Sequence, residues 1–96
     1  MERVVTVVPE DGLHARPASA FVQTAGEYDA EITVAAAAAD SDGRPARADS
    51  MLAVTGLGIE HGDDVRIEAE GPESESALDA LEAVLQAPAA ELGVDE

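Results

Sequence analysis

The sequence predicts an α+β domain in which helices cover one face of an antiparallel sheet. Several short stretches show the β-branched or alternating composition of strands, and two longer ones repeat apolar residues at helical spacing. Ninety-six residues are enough for one domain with a single core. Strands mixed with amphipathic helices pack as a sheet with the helices on one face. The predicted order is β-α-β-β-α-β-α, with a short second helix.

The first half of the chain holds a strand, a helix and a second strand. Residues 4–8 form a β-branched run that predicts the first strand. Apolar residues then recur on one helical face over residues 18–25. Pro17 suits the first turn of that helix, where its missing N–H costs nothing, and Gly26 supplies the stop. Residues 30–34 alternate apolar and polar side chains, which predicts a half-buried second strand.

The second half begins with an ambiguous run of alanines, interpreted as the end of the second strand followed by a hairpin loop. A short third strand is expected near residues 44–48. Ser50 is interpreted as the N-cap of a short helix. Residues 64–69 alternate strictly and predict the fourth strand, and residues 77–85 place their apolar side chains on one face of a final helix.

The domain is expected to cover residues 1–88, with residues 89–96 as a frayed acidic tail. No apolar run approaches the length of a membrane span, and the first residues lack the pattern of a signal peptide. The predicted location is the cytoplasm. Cysteine is absent, which excludes thiolate chemistry and zinc–cysteine sites. No metal or cofactor is predicted, and His61, despite its acidic neighbours, is interpreted as a turn residue.

The charge of the chain is extreme. Twenty-one acidic residues face five basic ones, all of them arginine, for a net charge of −16. Such a charge excludes nucleic acid and direct binding to anionic membranes. It is also typical of a halophilic protein, because concentrated salt screens the repulsion to within a few ångströms.

The segment Gly-Leu-His-Ala-Arg-Pro-Ala, residues 12–18, carries the candidate chemistry. It places His14 just before a helix, whose first N–H groups lack intrahelical partners and bind anions. Arg16 adds a guanidinium group that matches phosphate oxygens. An imidazole can act as a nucleophile and form a covalent intermediate. On local chemistry alone, a capping or solvent-facing histidine and a surface arginine remain open alternatives.

This segment resembles the active-site signature of the HPr family, the histidine-containing phosphocarrier proteins of the phosphoenolpyruvate-dependent sugar phosphotransferase system. The resemblance extends over nearly the whole chain. It includes six further blocks, residues 21–22, 31–34, 49–52, 57–59, 62–71 and 77–81. It implies an open-faced β-sandwich, a four-stranded antiparallel sheet with three helices on one face.

The resemblance also implies a phosphoryl carrier rather than an enzyme. His14 would accept a phosphoryl group on Nδ1 from phosphorylated enzyme I and pass it to the IIA component of a sugar permease. Arg16 would stabilise the phosphoryl charge, and the backbone amides of Ala15 and Arg16 would hold its oxygens. Gly12 and Pro17 would set the geometry of the site.

A shared partner-binding surface is implied for enzyme I and IIA. It would comprise Ser19 and Ala20 on the first helix with Met51 and Leu52 on the short one. At least one of Leu52 and Val54 is expected to lie in the core instead. The protein is expected to act as a monomer.

Two features depart from the usual family pattern. Ser50 aligns with a serine that a kinase phosphorylates in some members, which makes it a possible regulatory site. Asp49 precedes it where lysine is common, and like-charge repulsion disfavours added phosphate there. Capping is therefore the simpler role for Ser50. Residues 35–49 form a segment several residues longer than usual, which predicts a lengthened surface hairpin.

Two other functions remain open. A regulatory HPr-like protein would act mainly through protein–protein binding, although it would not need the nucleophile. A small anion-binding module would hold its ligand at the helix start without forming a covalent bond.

Overall fold

The computed structural model describes residues 1–8, 10, 12–13, 15–37 and 45–86. Seven elements follow one another in the predicted β-α-β-β-α-β-α order. They are β1 (Glu2–Thr6), α1 (Ala15–Ala25), β2 (Glu31–Ala36), β3 (Ala46–Arg47), α2 (Met51–Thr55), β4 (Asp64–Glu70) and α3 (Ser74–Gln86). Among the described helices, none combines the length and apolar character that a membrane span requires.

The four strands form one sheet in the order β1-β4-β2-β3, and every neighbouring pair is antiparallel. The interior strand β4 aligns Val65 with Val5 of β1 and Ile67 with Val34 of β2. All four of these side chains are buried. This register directs the apolar side chains of adjacent strands to the same face. The three helices cover that face, which confirms the predicted open-faced sandwich.

The core is built almost entirely from aliphatic side chains. Phe21 of α1 is its one phenylalanine and is fully buried, while Tyr28 is half-buried at the margin. The helix α3 contributes the face predicted for it, with Ala77, Leu78, Leu81 and Leu85 buried. Burying such side chains stabilises the fold by roughly 1.5–3 kcal/mol for each large aliphatic group.

The bounds of two strands, β1 and β3, differ from the sequence prediction. β1 ends at Thr6 although the β-branched run continues, because Val7 O accepts from the Gly62 N–H at 2.8 Å, one residue out of register, and the Val8 N–H donates to Leu85 O at 2.8 Å. These residues leave the β4 ladder and bind a turn and a helix. β3 is shorter than predicted, at Ala46–Arg47.

Other boundaries follow the sequence signals. β2 runs through Ala36, so the first alanines of the run are strand, as interpreted. Helix α1 ends where expected, and the Gly26 N–H donates to Val22 O at 3.1 Å. The proposed hairpin tip within residues 38–44 and the tail, residues 89–96, lie outside the described residues.

Candidate functional site

The approach to α1 is fixed by a close contact with the segment before β4. Gly12 has φ +67°, in the left-handed region. A Cβ at this position would lie 2.5 Å from Ile59 O and 2.6 Å from the Cα of Glu60. The next residue, Leu13, is fully buried and donates its N–H to Ile59 O at 2.9 Å. A glycine is therefore required at position 12 by the close approach of residues 59–60.

His14 lies outside the described residues, as does Asp11. The chain is nevertheless described on both sides of His14, because Leu13 is anchored and α1 begins at Ala15. Ala15 and Arg16 thus supply the first two backbone N–H groups of α1, at the end of the helix where the N–H groups point outward. These amides and the positive end of the helix dipole favour an anion beside the residue that precedes the helix.

The first turn of α1 contains no acidic side chain. Pro17 is buried in that turn and fits it without loss of a helical hydrogen bond. Arg16 is exposed there. Three other arginines form ion pairs elsewhere in the fold. Arg3 meets Asp79 at 2.7 Å, Arg47 meets Asp49 at 3.0 Å, and Arg66 meets Glu68 at 3.5 Å.

The predicted partner surface divides sharply within α2. Leu52 is 85% exposed and Met51 is 40% exposed, whereas Val54 is fully buried. The expectation that one of Leu52 and Val54 belongs to the core is confirmed, and that residue is Val54. Ser19 and Ala20 are half-buried on α1, which packs against α2. The two helices that would form the surface are therefore in contact.

Ser50 is the N-cap of α2. Its backbone is extended, and its Oγ accepts a hydrogen bond from the Ala53 N–H at 3.3 Å. The carboxylate of the neighbouring Asp49 accepts two hydrogen bonds from the guanidinium of Arg47. They run from Nε to Oδ1 at 3.1 Å and from Nη2 to Oδ2 at 3.0 Å. This hydrogen bonding lowers the pKa of the Asp49 carboxyl below its ordinary value. The capping role is confirmed, and the negative charge beside Ser50 is paired.

His61 lies in a turn, as predicted, and is exposed. Its Nδ1 is 2.7 Å from the carbonyl oxygen of Val8. Within the part of the chain that the structure describes, no group of three or more His, Cys, Asp or Glu side chains could hold a metal ion. Sequence reasoning missed both the His61–Val8 bond and the Ile59 anchor, although Gly12 signalled that some close approach existed.

Comparisons with known proteins agree with this architecture. Residues 1–87 match the family model described as "PTS HPr component phosphorylation site". The phosphocarrier protein HPr of Haloferax volcanii is 60% identical over 90 residues, covering 94% of this chain and 98% of that protein. A multiphosphoryl transfer protein of Salmonella typhimurium is 40% identical over 72 residues, which span 75% of this chain and 19% of that longer protein.

Solved structures show the same fold. The crystal structure of the phosphocarrier protein HPr from Bacillus anthracis matches with a TM-score of 0.81 and 36% sequence identity. The match covers 90% of this chain and 96% of the other. Fold and relatives together define a phosphocarrier of the phosphotransferase system. The chain belongs to the HPr family.

Proposed function

We propose that His14 is the residue that carries the phosphoryl group, taking it from phosphorylated enzyme I and passing it to the IIA component of a sugar permease. One observation supports this assignment above the others. The chain is anchored at Leu13 and becomes helical at Ala15, so residue 14 directly precedes the first backbone N–H groups of α1. Helix starts of this kind favour phosphate oxygens.

The transfer itself is a displacement at phosphorus. The Nδ1 lone pair of neutral His14 forms the new N–P bond while the bond between phosphorus and enzyme I breaks. The single proton of the neutral ring then resides on Nε2. In the second transfer the N–P bond breaks as the IIA acceptor takes the phosphoryl group. Positioning and charge stabilisation supply most of the catalysis in such reactions.

The surrounding residues have separate tasks. The amides of Ala15 and Arg16 would hold phosphoryl oxygens, and the Arg16 guanidinium would offset their charge. Gly12 and Pro17 would set the path of the chain on either side of His14. Because onward transfer must remain easy, a modest set of charge-stabilising groups suits a carrier better than a deep phosphate pocket.

Partner binding is proposed for the surface formed by Ser19, Ala20, Met51 and Leu52. Exposed Met51 and Leu52 offer adaptable apolar contact to two different proteins in turn. We further propose a monomer of one domain, residues 1–88, that works in the cytoplasm of a cell with a salt-rich interior. The net charge of −16 supports the last point, since such a domain repels itself in dilute buffer.

The test is labelling with phosphoenolpyruvate and the cognate enzyme I in concentrated salt. The wild type should take up one acid-labile phosphate per chain, and His14→Ala should take up none. Because the chain has two histidines, His61→Asn is the matched control and should reach the same final labelling as the wild type. Unlabelled wild type, or label retained by His14→Ala, would overturn the assignment.

A further inference from the structure

One short segment binds both ends of the connection that leads into the proposed site. This segment is residues 59–63, and we refer to it as the clamp. At the near end, the Val7 N–H donates to Asp63 O and the Gly62 N–H donates to Val7 O, both at 2.8 Å. At the far end, the Leu13 N–H donates to Ile59 O at 2.9 Å. The connection from β1 to α1 is thus held by the same turn near its beginning, at Val7, and near its end, at Leu13.

His61 adds a side-chain bond to this clamp. Its Nδ1 lies 2.7 Å from Val8 O, while the Val8 N–H donates to Leu85 O at 2.8 Å. Both backbone groups of Val8 are therefore bonded, one to α3 and the other to His61. The turn that presents His61 is itself held by a bond from the Glu60 N–H to Asp63 Oδ2 at 3.0 Å.

The chemistry of the bond fixes the state of the His61 ring. A carbonyl oxygen can only accept, so Nδ1 must carry the hydrogen. In the neutral ring the lone pair then lies on Nε2. This is the opposite tautomer to the one that His14 needs for attack through Nδ1, which suits His61 for support and His14 for transfer.

We propose that His61 is a positioning residue for phosphoryl transfer, acting by donating Nδ1–H to Val8 O and so fixing the entry to the segment that carries His14. The proposal rests on the assignment of His14 as the phosphoryl acceptor. His61 forms no bond to phosphorus and exchanges no proton with the reacting groups. Its effect is geometric, and small displacements of a reacting group are known to slow transfer strongly.

Two variants test whether the hydrogen bond donated by residue 61, rather than the size of its side chain, is what matters. His61→Asn keeps a donor, because the amide nitrogen of asparagine can take the place of Nδ1. His61→Leu has a similar size and no donor. In single-turnover transfer from phosphorylated enzyme I, we expect His61→Leu to be roughly 5-fold slower than the wild type, equivalent to about 1 kcal/mol in the barrier. His61→Asn should remain within about twofold of the wild type, a margin smaller than the effect of one net hydrogen bond.

The outcomes decide between the two proposals. Wild-type rates in His61→Leu, or equal slowing in His61→Asn, would overturn the role of His61 while leaving His14 in place. Failure of the wild type to take label would instead overturn the assignment of His14. Nitrogen-15 NMR of the wild-type protein gives a second test, which does not depend on whether the variants fold. It should show a protonated Nδ1 on His61, and a hydrogen on Nε2 alone would refute the bond.

Discussion

Replacing Gly12 with alanine should destabilise the protein far more than replacing a glycine of similar backbone conformation elsewhere. The added Cβ would lie 2.5 Å from Ile59 O, about an ångström inside ordinary contact. Relieving that overlap must displace the carbonyl that accepts from the Leu13 N–H. A left-handed alanine costs roughly 1–2 kcal/mol, and leaving the buried amide unpaired costs about 1–3 kcal/mol more. The expected loss is therefore about 2–5 kcal/mol.

Gly58 offers a matched control within the same protein. Its φ is +69°, nearly that of Gly12, but a Cβ there would meet nothing within 4 Å. Gly58→Ala should therefore lower the free energy of unfolding only by the cost of a left-handed alanine, about 1–2 kcal/mol. Urea unfolding followed by circular dichroism in concentrated salt would give both values. Equal losses in the two variants would show that the contact with Ile59 does not constrain the entry to α1.

The remaining predictions concern the partner surface and two glutamates, one in the sheet and one in α3. Leu52→Ala should leave the free energy of unfolding within about 0.5 kcal/mol, as exposed substitutions do, and weaken binding to enzyme I in titration calorimetry. Val54→Ala should lose about 2 kcal/mol of stability, because it removes buried methyl groups. A larger stability loss in Leu52→Ala than in Val54→Ala would contradict the division of α2 into a buried and an exposed face. Glu70 lies directly opposite Glu31 in the sheet, so Glu70→Gln should raise stability by up to about 1 kcal/mol in dilute buffer and by less as salt is added. Glu75→Gln removes the same charge from the first turn of α3, where the helix dipole favours it, and should lower stability by about 0.3–1 kcal/mol; a gain in both variants would mean that net charge alone, rather than cross-strand pairing, sets the response.

The sequence was informative where side-chain periodicity is long enough to be unambiguous. The alternation over residues 64–69 makes β4 unmistakable, and the apolar face of α3 extends over several turns. The five residues of α2 are too few to show a face. Only the packed structure separates Leu52 from the buried Val54.

The limits of the site prediction have a different physical cause. The residues that form it locally, from Gly12 to Pro17, are adjacent in the chain and carry recognisable chemistry. The clamp that holds them comes from residues 59–63, far along the sequence, and acts largely through backbone groups. Any residue supplies a carbonyl oxygen, so no side-chain pattern identifies Ile59 as the anchor. For the same reason, the end of β1 at Thr6 is decided by the out-of-register bond from the Gly62 N–H to Val7 O rather than by strand propensity.

The buried amide of Leu13 has a further use as an internal reporter. Its hydrogen can exchange with solvent deuterium only when the bond to Ile59 O opens. The protection of this one amide therefore measures how often the chain beside His14 departs from its resting path. Compared with the protection of core amides on β4, it would show whether the site opens on its own or only when the whole domain unfolds.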